Sequence, residues 1–209
     1  MNIKDVSIAR HPFSISSKAA EETMVEHHST VLVFIASGVE EMEAVTVCDI
    51  LRRGGLNVIL AGESEIITAS RGMKFLPDVT FEHIADDEEY LAIVLPGGSR
   101  AADTFSNHPH IERILRAHVK RNSIIGAMCA SPSVLVAYDL LPQGTPMTSH
   151  KGVKHLIEPR YEYIDEKIVI NENVITCQGA GCSIDFALNL LSMLAGEDMS
   201  RHIAKEIVY

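Results

Sequence analysis

Apolar runs of strand length alternate along this chain with stretches in which apolar residues recur every three or four positions. Residues 31–36 are continuously apolar and read as a buried strand. Ser37 and Gly38 break the run. Ala44, Val47, Cys48 and Leu51 then share one helix face, which Gly54 and Gly55 close. Residues 57–61 read as the next strand, and residues 65–81 as short β pieces, interrupted by Gly72 and Pro77, that suit a hairpin. Residues 91–95 form another buried run, ending in Pro96, Gly97 and Gly98. Ile111, Ile114, Leu115 and Val119 mark a second amphipathic helix. A strand then runs into Cys129 and a helix follows it. A mixed segment covers 145–170, and residues 174–177 make a further strand. A nearly all-apolar helix over 183–195 has Gly196 as its C-cap, and a last helix runs over 199–207.

Apolar strands alternating with helices imply an α/β chain with a parallel sheet covered on both faces. In such sheets ligands bind outside the carboxyl ends of the strands. That rule gathers residues 38–43, 96–100, 129–130 and 177–181 at one crest.

Composition narrows the function classes. The chain has 209 residues, enough for one α/β domain with a sizeable core. Its formal net charge of −10, with no basic stripe, argues against nucleic acid as the main partner. No apolar run approaches a membrane span, so a membrane is not expected as a partner. The cysteines are Cys48, Cys129, Cys177 and Cys182, a usage that suits a reducing compartment such as the cytoplasm. Residues 1–30 read differently, with Lys4, Arg10 and Lys18 against Asp5 before Glu21, Glu22 and Glu26. Two readings stand there, a flexible extension or an organelle transit peptide, which would make the location mitochondrial. Residues 31–209 read as one domain.

Cys129 is the most informative residue. The apolar strand before it breaks at the cysteine, Ser131 is placed to N-cap the next helix, and Pro132 suits the first helical position. A thiol before a helix start faces unpaired N–H groups and the positive end of the dipole, both of which favour thiolate. A sharp strand-to-helix turn also lifts the side chain above the sheet, as in a nucleophile elbow. The competing reading is a buried, inert cysteine on a core strand.

A cysteine nucleophile needs a group that moves protons and donors for an oxyanion. Glu40, Glu41 and Glu43 open the first helix. The first two suit the helix N-terminus electrostatically, whereas Glu43 begins the packed part of the helix and can point back at Cys129. Gly97 and Gly98 allow close approach to a ligand, and their N–H groups with that of Ala130 could form an oxyanion hole; a plain turn is the alternative. His150 lies 21 residues after Cys129, a spacing that an elbow helix and a short return would span. No His/Cys spacing matches a zinc site, so no metal is expected.

Taken together these residues resemble the DJ-one branch of the ThiJ/PfpI superfamily, over about residues 30–208. The matching pieces are residues 38–43, 49–54, 70–72, 95–98, 126–132 and 178–181, in the family's order. The resemblance implies a flavodoxin-like three-layer sandwich with a mostly parallel central sheet and a cysteine nucleophile elbow, usually in a homodimer. It implies Cys129 as the nucleophilic, oxidation-sensing thiol and Glu43 as the protonated carboxyl bonded to it. It also implies Gly97, Gly98 and Ala130 as oxyanion donors and His150 as the catalytic histidine. Arg53 and Arg71 match basic residues near the pocket and the dimer seam. The seam candidate is the first helix, with Cys48, Asp49, Arg52 and Arg53. Two departures stand out: Ser131 replaces the usual glycine or alanine, and Lys151 replaces a common proline. Ala130, where protease-like members carry histidine, argues against peptidase activity.

The resemblance implies cofactor-free, glutathione-independent conversion of methylglyoxal-type 2-oxoaldehydes to 2-hydroxy acids, or repair of glycated proteins, with protection against oxidative stress. A redox-sensing stress chaperone switched by Cys129 oxidation uses the same thiolate and stands as the alternative. A glutaminase-like role lacks a matching triad.

Overall fold

The structure, a computed structural model, describes residues 30–209. The reading of residues 1–30 as an extension or transit peptide therefore lies outside the described residues, except for Thr30, which opens the first strand.

The strands are β1 (Thr30–Ile35), β2 (Asn57–Gly62), β3 (Ile67–Thr68), β4 (Lys74–Phe75), β5 (Val79–Thr80), β6 (Ala92–Leu95), β7 (Ile124–Met128), β8 (Pro146–Met147), β9 (Glu162–Tyr163), β10 (Ile168–Asn171) and β11 (Val174–Cys177). The α-helices are α1 (Glu41–Arg53), α2 (Ser99–Ser106), α3 (Pro109–Lys120), α4 (Pro132–Ala137), α5 (Lys154–Ile157), α6 (Ser183–Ala195) and α7 (Glu197–Glu206). Seven strands form the central sheet in the order β10-β11-β7-β6-β1-β2-β5. Every neighbouring pair is parallel except β10 with β11. The hairpin expected within 65–81 is β3 with β4, paired antiparallel from Ile67 opposite Phe75.

Alternation along β1 sends its side chains to two cores. Leu32 and Phe34 join one cluster, whereas Val31 and Val33 join the other. On the first face Phe34 meets Phe81 edge-on at 5.4 Å and Phe105 of α2 at 6.4 Å. On the second face α6 lies between the sheet and α7 and also packs on α1, which explains its apolar sequence: Phe186, Ala187, Leu190 and Leu191 are fully buried. Each such large side chain contributes about 2 kcal/mol of transfer free energy. The result is a three-layer, flavodoxin-like α/β sandwich. Among the described residues no helix is long and apolar enough to cross a membrane.

Three elements depart from the sequence expectations. α2 was not expected; its low-propensity SRAADTFS sequence hides a short buried face of Ala101, Ala102 and Phe105. β10 emerges from the mixed segment as the antiparallel edge that closes the sheet. The last helix starts at Glu197, not 199, because Gly196, at φ 90, both ends α6 and opens α7.

The order of the chain reverses around β1. From it the chain passes to β2 on one side and later to β6 on the other. The loops after β1, β6 and β7 therefore meet at the carboxyl edge of the sheet, where Glu40 N–H donates to Gly97 O at 3.0 Å.

Candidate active site

Cys129 follows β7 directly and has a φ of 56, in the left-handed region. A residue with a side chain pays about 1–3 kcal/mol for that conformation, and the surroundings hold it there. Its N–H donates to Cys177 O at 2.9 Å, and Ser131 N–H donates to Met128 O at 2.8 Å. The Ser131 hydroxyl does not cap α4, as the sequence suggested. The residue is already helical, at φ −70 and ψ −16, and its Oγ donates to Pro96 O at 2.7 Å. This hydroxyl is fully buried and ties the elbow to the crest of β6.

Glu43, in the first turn of α1, is fully buried beneath the elbow. Its Oε2 accepts the Gly97 N–H at 2.6 Å. Of the three expected oxyanion donors, Gly97 thus already serves Glu43, whereas the N–H groups of Gly98 and Ala130 face the Cys129 sulfur. Glycine at 97 lets these groups close up: a Cβ there would lie 2.4 Å from Cys129 Cβ and 2.8 Å from Glu43 Oε2. Gly98, at φ 99, takes the backbone into a region closed to most side chains and turns its N–H inward. The other oxygen, Glu43 Oε1, is buried without a well-formed hydrogen bond, although the carboxyl stands against the Cys129 thiol.

Burial raises the Glu43 pKa to about 7, opposed by the Gly97 N–H and helped by the charge of Glu40. Burial, and then the Glu43 carboxylate, push the Cys129 thiol up to about 12, against the N–H groups of Gly98 and Ala130. The N–H groups that the sequence places at this thiol are present and favour thiolate, but burial and the Glu43 charge oppose them. α4 is only six residues long, and desolvation outweighs its N–H groups. The two groups titrate as a pair that disfavours double ionisation. When Glu43 holds the proton the repulsion disappears, and a carboxyl O–H on Oε1 can donate to sulfur.

His150 reaches this centre along its own backbone: its N–H donates to Cys129 O at 2.7 Å. The preceding residues are fixed to β11 by Thr148 N–H donating to Thr176 Oγ1 at 2.9 Å. The His150 Nδ1 accepts the Gly152 N–H at 3.1 Å, which places the neutral ring's proton on Nε2. A Cβ built on Gly179 would lie 3.9 Å from both Cys129 Sγ and His150 Cδ2, so the two side chains flank one small space.

That space opens into a cleft of about 850 Å³, lined among others by Gly38, Glu40, Arg71, Arg100, Cys129 and His150. Arg71 thus belongs to the cleft. Arg53 does not. It lies at the end of α1, paired with Asp49 at 2.8 Å and Glu206 at 2.9 Å, beside a separate hollow with Cys48, Asp49 and Arg52.

Sequence reasoning missed Glu41 and Ser70. Glu41 is a buried carboxylate rather than a surface charge: it accepts from Ser70 Oγ at 2.7 Å and Arg71 N–H at 2.6 Å. These bonds hold its pKa below the ordinary value against the cost of burial. They pin the turn that carries Arg71 onto the start of α1. Among the described residues no group of three or more His, Cys, Asp or Glu side chains is placed to hold a metal ion.

Residues 29–193 match the DJ-1/PfpI family. The chain belongs to that family. DJ-1alpha of Drosophila melanogaster is 33% identical over 181 residues, covering 85% of this chain and 83% of that protein. A Caenorhabditis elegans protein named glutathione-independent glyoxalase DJR-1.2 is 32% identical, covering 88% of this chain and 98% of its own. The crystal structure of Drosophila DJ-1beta superposes with a TM-score of 0.83 at 31% identity, over 86% of this chain and 97% of that one. This DJ-1/PfpI member presents its cysteine elbow, buried glutamate and histidine at the carboxyl edge of its sheet.

Proposed function

We propose that the protein is a cofactor-free, glutathione-independent glyoxalase that converts methylglyoxal-type 2-oxoaldehydes to 2-hydroxy acids, and that the same site can act on their protein adducts. The observation that carries this is the meeting of the Cys129 and His150 side chains around one small space, with the Glu43 carboxyl against the thiol and two backbone N–H groups aimed at the sulfur. The similarity to a relative named as a glyoxalase supports it.

In this mechanism Glu43, as carboxylate, takes the Cys129 proton as the sulfur adds to the aldehyde carbon. A C–S bond forms, and the carbonyl electron pair goes to oxygen, which takes that proton from Glu43 while accepting a hydrogen bond from His150 Nε2–H. The N–H groups of Gly98 and Ala130 stabilise the developing charge, and removing one such donor costs about 3 kcal/mol. Glu43, again a carboxylate, then takes the C1 proton and returns it to C2, while the C1 hydroxyl gives its proton to the C2 oxygen, so C1 is oxidised as C2 is reduced. Water cleaves the resulting thioester and restores the thiol. The test is lactate formation from methylglyoxal without glutathione, by wild type beside Cys129→Ala. Turnover lost in the variant supports the reading; its absence in fully reduced wild type refutes it.

A second reading is favoured by one observation, the unpartnered Glu43 Oε1 against Cys129. A protonated carboxyl there would donate to a cysteine sulfinate and stabilise it, as a redox-sensing stress chaperone requires.

We also propose a homodimer through α1 and the hairpin. Met42 and Val45 on α1 and Ile66, Met73 and Leu76 around β3 and β4 are large apolar side chains left 45–76% exposed. Arg53 belongs to this face rather than to the cleft.

A further inference from the structure

The arginines of this chain divide into two sets. Every arginine among the described residues outside the cleft pairs with an Asp or Glu carboxylate. The two that do not, Arg71 and Arg100, both line the cleft over Cys129. Arg71 meets only the Ser70 carbonyl at 3.4 Å, and Arg100 has no polar partner among the described residues. In a chain of net charge −10, carboxylates are plentiful, so two free guanidiniums at one cleft call for a reason.

Arg100 is placed rather than merely exposed. It occupies the first turn of α2, where the helix dipole disfavours a cation, and no acidic residue stands there to offset it. Its stem lies along the loop after β1: a Cβ on Gly38 would fall 2.8 Å from Arg100 Cβ and 3.3 Å from Cδ. The turn carrying Arg71 is pinned in turn by the buried Glu41. One carboxylate, Glu40, lines the same cleft, with its Oε2 turned to Ser70 Oγ at 2.9 Å, where it shares that hydroxyl's one proton with Glu41. Lys151, next to His150, is drawn to Asp165 at 3.6 Å.

We propose that Arg71 and Arg100 make this cleft selective for 2-oxoaldehydes that carry a carboxylate, with the aldehyde at Cys129 and the carboxylate held by the guanidiniums. A planar carboxylate matches the donor fork of arginine better than a point charge would. The assignment of the reacting group rests on the glyoxalase reading above; the anion site does not.

The test separates the two. Cys129 is alkylated at low ionic strength with iodoacetate and with iodoacetamide, each displacing iodide, and the Cys129 peptide is followed by mass. The ratio of the two rate constants cancels thiolate content and needs no turnover. We expect the ratio to exceed that of free N-acetylcysteine by about fivefold or more, to fall at high salt, and to drop in Arg100→Ala while Arg100→Lys retains part of it. A ratio equal to that of the free thiol, or one unmoved by Arg100→Ala, overturns the anion site. In the second arm, kcat/KM for 4,5-dioxopentanoate should exceed that for methylglyoxal, and this preference should shrink in Arg100→Ala. A preference for methylglyoxal overturns the substrate class. If neither compound turns over, the glyoxalase reading fails, and with it the aldehyde part of this proposal, while the alkylation ratio still decides the anion site.

Discussion

The main-chain N–H of His150 donates to the carbonyl oxygen of Cys129 at 2.7 Å, so the residue that carries the sulfur also sets the height of the imidazole beside it. With Nδ1 accepting from Gly152, the ring offers Nε2–H to a substrate oxygen. His150→Gln, whose amide reaches toward the Nε2 position, should keep more methylglyoxal turnover than His150→Asn. Loss of this donor should cost about 100-fold or more in kcat. Steady-state kinetics of both variants, with far-UV circular dichroism as the control for folding, check this.

Glu43 makes stability fall with pH. Its pKa in the fold is raised to about 7, from the ordinary 4.5 of a glutamate, so the protonated form is the one the fold favours. The contribution is complete below pH 4.5 and is lost as pH rises to about 7, because the unfolded chain gives up the proton first. Glu43→Gln, which cannot ionise, should therefore gain on wild type by about 3 kcal/mol at pH 8 and by little at pH 4.5. Urea unfolding at the two pH values measures it, and turnover by the variant should be lost.

Gly97→Ala should fail at the site before it fails in the fold. The added methyl would meet Cys129 Cβ at 2.4 Å and Glu43 Oε2 at 2.8 Å, so the carboxyl and the elbow must separate. A destabilisation of about 1–3 kcal/mol is expected, with slower Cys129 alkylation and turnover. Thermal unfolding and iodoacetamide kinetics read the two effects.

Ser131→Ala removes the bond to Pro96 O and leaves that buried carbonyl unpaired. The expected cost is about 1–3 kcal/mol in urea unfolding. Retained stability would mean that the elbow does not depend on this tie.

Leu76→Asp places a charge just after β4, where Leu76 is 76% exposed. Light scattering at micromolar concentration should find wild type as a dimer and the variant as a monomer. A monomeric wild type would refute the dimer.

Much of this was legible in the chain because the long elements announce themselves. β1, β6 and β7 are uninterrupted apolar runs, and α1, α3 and α6 repeat at helical spacing. The strand-end rule then gathered Glu43, Gly97, Gly98, Cys129 and Ala130 correctly at one edge. What was not legible depends on partners far along the chain. Glu41 looks like any acid at a helix start until Ser70 and Arg71 fold onto it. Ser131 looks like a cap until Pro96 arrives. The Cys129 pKa follows from burial, a property of the assembled sandwich rather than of the neighbouring residues. α2 and β10 escaped because one is short and polar and the other is a half-exposed edge.

The ties at the crest have one more consequence. Cys129 is bonded to Cys177 through its amide and to His150 through its carbonyl, Ser131 to Pro96, and Glu40 to Gly97. The reactive centre is thus a seam sewn across four strand ends, with no hinge of its own. Amide exchange at Cys129 and Gly97 should require opening of the sheet itself, and a compound that fits the resting cleft should meet the same walls after the sulfur has reacted.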